Sequence, residues 1–253
     1  MVYDGQPKED VLAKIIGARE GVTVVSLDAL REMGRAEPIE AAESRTPSSD
    51  DVACIMYTSG TTGAPKGVVI KHSNLVSSIG SVMTLVGRHL QPNDCYLAFL
   101  PLAHILEYVV ELSFVFAGLC SGFARVKTLT DASVRNCQGD IKAFRPTVMV
   151  GVPAIWETIR KGIMVQVNKS GAIRKSMFNG AMTIKRASVP VLKNVVDSVV
   201  FAKIREGTGG RLRLALSGGA ALSRETQEFL ATALVTLVQG ARLSIHAAEL
   251  FSD

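Results

Sequence analysis

Val52-Ala53-Cys54-Ile55-Met56-Tyr57-Thr58-Ser59-Gly60-Thr61-Thr62-Gly63-Ala64-Pro65-Lys66-Gly67-Val68-Val69-Ile70 is the stretch that decides how this chain is read. Residues 52–57 form an apolar, partly β-branched run, and residues 68–70 form a second one. Glycine and hydroxyl residues fill the space between, with no apolar anchor from Tyr57 to Val68. Two strand signals joined by such turn chemistry predict a tight hairpin holding an exposed, mobile loop. The glycines let main-chain N–H groups approach an anion, the hydroxyls donate further hydrogen bonds, and Lys66 adds positive charge. The loop from Thr58 to Lys66 therefore reads as a phosphate cradle. It is not a Walker A loop, because the Gly-x4-Gly-Lys-Ser/Thr spacing is absent.

Outward from the hairpin, helices and strands alternate. Helix is expected over residues 73–87, with Ser73 or Asn74 placed to cap it. Strand is expected over 96–100, helix over 103–117, helix over 132–144 and strand over 147–150. Pro153 opens a long helical region reaching residue 206. A strand over 212–216, a Gly-rich turn over 217–222, a helix over 223–232 and a last strand over 234–238 follow. On the amino-terminal side, residues 11–19 read as helix, 22–26 as a short strand and 35–50 as a loop. This alternation predicts an α/β protein whose mainly parallel sheets are covered by helices.

Composition narrows the classes. The 253 residues are 47% hydrophobic and 20% charged, which excludes a disordered or collagen-like chain. A formal charge of +5 is too small to imply nucleic acid, and none is expected as a partner. Acidic residues dominate residues 1–60 and basic residues dominate 121–214. Arg174, Lys175, Lys185, Arg186 and Lys193 form either a solvated helix face or a surface for anionic phosphates and lipid headgroups. Cys54, Cys95, Cys120 and Cys137 lack metal or disulfide spacing and read as reduced, mostly buried thiols of an intracellular protein. Residues 96–124 are long and apolar, but Pro101, His104, Glu107 and Glu111 interrupt them. A charged group at mid-bilayer costs about 2.5–3.5 kcal/mol, so a buried strand and helix are expected there instead of a span.

Three further places could carry chemistry. His104, Glu107 and Glu111 stand at i, i+3 and i+7, which places them on one helix face. They are either a polar stripe or buried pair, or a set that brings His104 to a substrate site. Trp156 is either a core residue or a wall of an apolar tunnel. Gly218 and Gly219 follow a strand, as an ordinary turn or as a point where the backbone approaches a flat ligand closely.

The loop at Thr58 resembles the phosphate-binding signature of the adenylate-forming (AMP-binding) superfamily. Leu100-Pro101-Leu102-Ala103-His104-Ile105-Leu106-Glu107 is similar to its second motif, in the form used by long-chain fatty acid:CoA ligases. Gly151-Val152-Pro153-Ala154-Ile155-Trp156 resembles the Val-Pro segment before a substrate-lining helix. Leu216-Ser217-Gly218-Gly219-Ala220-Ala221-Leu222 resembles the Gly-Gly-Ala turn beside the nucleotide. The four stand in family order over residues 50–240.

The resemblance implies an incomplete large N-terminal domain of an adenylate-forming enzyme. Residues 1–34 would be a remnant of a preceding subdomain, 35–50 a linker, 51–240 the AMP-binding core and 241–253 a tail outside the family pattern. It implies that ATP is held by Thr58, Ser59, Gly60, Thr61, Thr62, Gly63, Lys66, Gly218, Gly219 and Ala220. Mg2+ would lie near Thr61, with CoA as co-substrate. His104 would be catalytic, and Gly151 and Trp156 would meet a long-chain fatty acid. Action at the cytosolic face of membranes such as the endoplasmic reticulum is implied, with surface association and no transmembrane segment. After Gly240 the family's aromatic-Gly-x-Thr-Glu motif, which supplies the magnesium carboxylate, is replaced by an unrelated stretch. A splice or frame boundary near Gly240 is the expectation, as are poor packing of that stretch, weak nucleotide binding at best and no acyl-CoA formation by the chain alone. The competing readings are a non-catalytic nucleotide- or acyl-binding fragment, and a ligase for another carboxylate.

Overall fold

Strand alternation sorts the core of this protein into two layers around one sheet. The computed structural model describes residues 2, 3, 5, 8–18, 21, 23–58, 64–187 and 196–240. They fall into two units, residues 1–49 and 50–253.

In the first unit, β1 (Val2–Tyr3) lies parallel to β2 (Val25–Ser26). α1 (Glu9–Ala18) connects them and α2 (Leu27–Ala36) follows. Ser26 caps α2, its hydroxyl accepting from Ala29 N–H at 3.0 Å. Residues 35–50, expected as loop, also hold a five-residue helix, α3 (Ile39–Glu43), started after Pro38.

The second unit opens with the antiparallel hairpin of β3 (Val52–Thr58) and β4 (Lys66–Lys71), in register from Cys54 beside Ile70 to Thr58 beside Lys66. α4 (His72–Val86) follows directly. Asn74 does cap it, but from inside its first turn, accepting from Lys71 N–H at 2.9 Å. Then come β5 (Cys95–Ala98), α5 (Ile105–Phe116), β6 (Cys120–Phe123), α6 (Asp140–Phe144), β7 (Val148–Gly151), α7 (Pro153–Lys169) and α8 (Ala172–Arg186). A π-helical turn at Asp197–Phe201 leads into α9 (Ala202–Glu206). β8 (Leu214–Gly218), α10 (Arg224–Ala233) and β9 (Thr236–Gly240) complete the unit. Five strands form one all-parallel sheet in the order β6-β5-β7-β8-β9.

Alternate strand residues feed opposite layers, as the two-residue period of a strand requires. Tyr96, Ala98, Val148, Val150 and Leu214 pack with Leu106, Val110 and Phe114 of α5. Leu97, Met149 and Ala215 pack with Trp156, Phe178, Phe201 and Leu230 on the other side. The hairpin packs on α5 and α4 through Ile70, Leu75 and Val109. α10 is capped by Ser223, and Arg160 of α7 bonds Thr226 Oγ1 at 2.9 Å while its guanidinium stands 5.5 Å over the Phe229 ring.

Four expectations need correction. Helix over residues 132–144 shrinks to Asp140–Phe144. Gly139 N–H bonds Asp131 Oδ1 at 2.7 Å, and Asn136 takes a left-handed φ of 59°, so the chain curls back. A Cβ on Gly139 would stand 2.3 Å from the Thr130 backbone, so only glycine permits that curl. The edge strand β6 was not expected, since four residues after a helix carry little periodic signal. Of the four thiols only Cys95 is buried; Cys120 and Cys137 are exposed. Within the basic group, Arg174, Lys175 and Arg186 are exposed. Lys185 instead pairs with Asp197 at 2.6 Å and stands 4.8 Å over the Phe201 ring. Lys193 and the stretch 241–253 lie outside the described residues.

Candidate active site

The strand order reverses between β5 and β7: the chain steps outward from β5 to β6, then crosses back to β7. Ligands of open parallel sheets gather outside the carboxyl ends of the strands at such a reversal. Here β5 and β7 are joined near their amino ends, by Tyr96 beside Val148 and by Thr147 N–H on the Cys95 carbonyl at 3.0 Å. No ladder pair joins Ala98 to β7.

Three segments leave this edge. After β5 the chain turns at Pro101, whose carbonyl accepts from His104 N–H at 2.9 Å. His104 is exposed and caps α5, its Nδ1 accepting from Leu106 N–H at 3.2 Å. It thus stands at the helix start and not on the face that carries Glu107 and Glu111. After β7, Val152 precedes α7, Pro153 fills the first helical position and Trp156 lies wholly buried in the first turn. β8 ends on Gly218, and Gly219 follows in the left-handed region at φ 82°.

The glycines let these segments close on one another. A Cβ on Gly218 would sit 3.0 Å from Leu106 Cδ2, two residues past His104. One on Gly219 would meet Val152 Cγ1 at 3.6 Å, and one on Gly151 would lie 3.1 Å from the indole of Trp156. Gly151 is in register beside Ser217. His104, Gly151, Trp156, Gly218 and Gly219 therefore share the carboxyl edge of the sheet, and Ala220 follows as an exposed residue. Thr58 and Lys66 face each other across the open end of the hairpin, both exposed, with the Thr58 hydroxyl 3.4 Å from the Lys66 carbonyl. Ser59, Gly60, Thr61, Thr62 and Gly63 lie outside the described residues.

Two buried polar atoms at this edge, Trp156 Nε1 and Ser217 Oγ, find no hydrogen-bond partner among the described residues. Buried donors are nearly always satisfied in folded proteins, so such orphans mark places where a bound group would be at home. Ser217 stands immediately before the glycine pair, in the segment that resembles the Gly-Gly-Ala turn, but the resemblance assigns it no role of its own. Beneath the edge, Glu107 is wholly buried, and the Tyr96 hydroxyl donates to its Oε2 at 2.8 Å. Burial, opposed by that bond and then reinforced by the charge of Glu111, pushes the Glu107 carboxyl up to about 7.

A cavity of about 570 Å³ lies away from the glycines, between α7, α8 and α9. Ile159, Ile163, Val167, Phe178 and Val200 line it, with Arg174 and Lys203 at its rim. Trp156 belongs to the same core cluster as Phe178, which packs with Ile159 and Ile163, so α7 connects the carboxyl edge to this cavity. Among the described residues no three His, Cys, Asp or Glu side chains gather where they could hold a metal.

Gly151→Ala tests the closest of these contacts. The new methyl presses on a rigid, buried indole, and overpacking of this kind costs about 1–3 kcal/mol. Trp156 is the single tryptophan. Its emission spectrum should shift in Gly151→Ala, with a lower urea midpoint; an unchanged spectrum and midpoint would mean the contact is loose.

The edge and its glycines form a candidate ligand site at the switch point of an open parallel sheet. Residues 3–241 match the model of the AMP-binding enzyme family. Long-chain-fatty-acid–CoA ligase 2 of Schizosaccharomyces pombe is 39% identical over 245 residues, 95% of this chain and 35% of that protein. Long-chain-fatty-acid–CoA ligase 1 of Saccharomyces cerevisiae is 42% identical over 239 residues, 93% of this chain and 34% of that protein. The chain thus spans about a third of the length of these curated relatives. Among solved structures, the adenylation domain of a carboxylate reductase from Mycobacterium chelonae superposes with a TM-score of 0.67 at 23% identity, covering 91% of this chain and 32% of that one. The A domain of the carboxylic acid reductase from Segniliparus rugosus, solved with AMP and a co-purified carboxylic acid, gives 0.62 at 23% identity over 92% of this chain and 34% of that one. The chain belongs to the AMP-binding enzyme family.

Proposed function

We propose that this chain carries the nucleotide- and acyl-binding edge of an ATP-dependent long-chain fatty acid:CoA ligase. In that reaction a carboxylate oxygen attacks the α-phosphorus of ATP, and pyrophosphate leaves as the acyl-adenylate forms. The thiol of CoA then attacks the acyl carbonyl, the thiol proton is lost, and AMP leaves. The observation that supports this reading is the close approach of Leu106, two residues past His104, to Gly218 and of Val152, next to Gly151, to Gly219 at the carboxyl edge of the sheet.

On this reading Thr58, Ser59, Gly60, Thr61, Thr62, Gly63 and Lys66 wrap the phosphates, where positioned donors stabilise developing negative charge. Gly218, Gly219 and Ala220 let the backbone approach the adenine and the acyl carboxylate, and His104 orients the carboxylate or adenylate. Gly151 and Trp156 stand at the head of the acyl path, and the apolar cavity behind α7 takes the chain's tail. Thr61 is the one residue assigned to Mg2+, and CoA enters as the second substrate. Residues 51–240 are assigned to the AMP-binding core, 1–34 to a preceding subdomain, 35–50 to the linker and 241–253 to a separate tail. No helix among the described residues is long and apolar enough to cross a membrane. The exposed Arg174, Lys175 and Arg186 support association with anionic headgroups at a cytosolic membrane face.

Binding of adenylate analogues to the purified chain tests the reading. A palmitoyl sulfamoyl adenosine should bind saturably and more tightly than its benzoyl counterpart. Lys66→Ala should raise its Kd about tenfold, the loss of one charge-assisted contact worth about 1.4 kcal/mol. Equal affinity for both analogues would favour a ligase of another carboxylate, and insensitivity to Lys66→Ala would sink the assignment of the loop.

A further inference from the structure

The last residue of the second motif, Glu107, is absorbed by none of the roles above. It sits in the first turn of α5, three residues after His104, and is wholly buried in an otherwise apolar layer. Its carboxylate turns away from the helix start and toward β5. There Oε2 accepts from the Tyr96 hydroxyl at 2.8 Å. Oε1 finds no hydrogen-bond partner among the described residues, while the main-chain N–H groups of Leu100 and Phe99 favour the charged form of the carboxyl. Tyr96 is itself held at its ring, which stacks on Phe114 of α5 at 4.7 Å between centroids. The carboxylate thus bridges the two ends of the segment from Leu100 to His104: the end of β5 on one side and the first turn of α5 on the other.

We infer that Glu107 is a positioning residue, which through Tyr96 and the end of β5 sets where His104 stands over the carboxyl edge of the sheet. The functional part of this inference rests on the reading of that edge as the nucleotide and acyl site. The packing around Glu107 makes its proton state matter. From β5 it faces Tyr96, and from its own helix Glu111. β7 and β8 bring no ionisable side chain, as their sequences Val-Met-Val-Gly and Leu-Ala-Leu-Ser-Gly show. The hairpin, packed on α5 through Ile105, Tyr108 and Val109, carries Lys66 and Lys71 at exposed ends. Glu107 forms no ion pair among the described residues. A buried carboxyl without a cation titrates high, so the bridge changes charge near neutral pH. Its ionised form draws on the Tyr96 hydroxyl and the two N–H groups, and its neutral form competes for them less strongly.

The test is a pH titration of backbone amides by NMR on the full 253-residue chain, from pH 5.5 to 8.5 and without ligand. Phe99 and Leu100 report the end of β5; Leu106, whose N–H bonds the His104 ring, reports the capped turn. All three amides should share an inflection near pH 7 in the unaltered chain. Glu107→Gln keeps an acceptor for Tyr96 but cannot ionise, and it should remove that inflection from all three. Tyr96→Phe removes a bond that favours the charged form and should move the inflection up by about one pH unit. Should Glu107→Gln fail to fold, the Tyr96→Phe shift alone decides. An inflection that survives Glu107→Gln, stays put in Tyr96→Phe, or reaches Phe99 and Leu100 without Leu106 would overturn the inference. Because no ligand is present, this outcome is separate from the adenylate-binding result.

Discussion

Asp94→Ala is expected to lower the unfolding free energy of this chain by about 3–5 kcal/mol, the usual cost of removing one partner of a buried ion pair. Asp94 is 3% exposed and both its oxygens are committed. Oδ1 accepts from Arg213 Nε at 2.7 Å and from the Thr147 hydroxyl at 2.7 Å. Oδ2 accepts from Gln91 N–H at 2.7 Å and from Arg213 Nη2. Thr147 Oγ1 in turn accepts from Cys95 N–H at 2.9 Å. One carboxylate therefore ties together the amino ends of β5, β7 and β8. Removing it leaves Arg213 with the His89 carbonyl as its acceptor and Thr147 with its bonds to the Cys95 backbone. Arg213 retains some exposure and can rehydrate, which favours the lower end of the range. Although burial alone would raise it, the bonds from Arg213, Thr147 and Gln91 hold the Asp94 carboxyl below the ordinary carboxylate range. Its contribution is therefore present at neutral pH and lost as pH falls through that lowered value. Urea unfolding at pH 7 measures the effect; a loss under 1 kcal/mol would show that the network adds little to the sheet.

Glu107→Gln is expected to act in the opposite direction, and only at higher pH. Glu107 is raised from 4.5 to about 7, so the folded chain holds a proton that the unfolded chain has released. Stability therefore falls as pH rises from about 4.5 to about 7, by roughly 3 kcal/mol if the whole shift is expressed. Asp94, Asp131 and Asp197 have lowered values and destabilise the fold only on the acid side. The unaltered chain should thus be most stable between these two regions. Glutamine does not titrate, so the variant should match the parent near pH 5 and exceed it near pH 8. Urea midpoints at pH 5, 6.5 and 8 check this. Parallel pH dependences for parent and variant would mean that Glu107 is ionised throughout and that the burial penalty is met by the N–H groups at the end of β5.

Much of the fold was legible before any coordinates. The hairpin, the alternation of strands and helices, Pro153 at a helix start and Asn74 as a cap all follow from local chemistry: turn residues, apolar periodicity and main-chain geometry. Gly218 and Gly219 were legible as a turn or a place of close approach, and Gly151 only as the first residue of the segment that resembles the family's Val-Pro motif. The partners of that approach were not. That Leu106 presses on Gly218, Trp156 on Gly151 and Val152 near Gly219 depends on strand order, and strand order is invisible to a short window of residues.

The sequence by itself therefore determined the parallel α/β class, the segments that carry the glycines and hydroxyls, and the family these motifs define. Only the tertiary structure decided that His104 caps α5 instead of sharing a face with Glu107, that Glu107 closes on Tyr96, and that Asp94 meets Arg213 119 positions later. The physical reason is range. Turn and helix preferences are settled within a few residues of chain. The burial of a carboxylate, and the partner that makes it tolerable, are settled by which distant strands lie side by side.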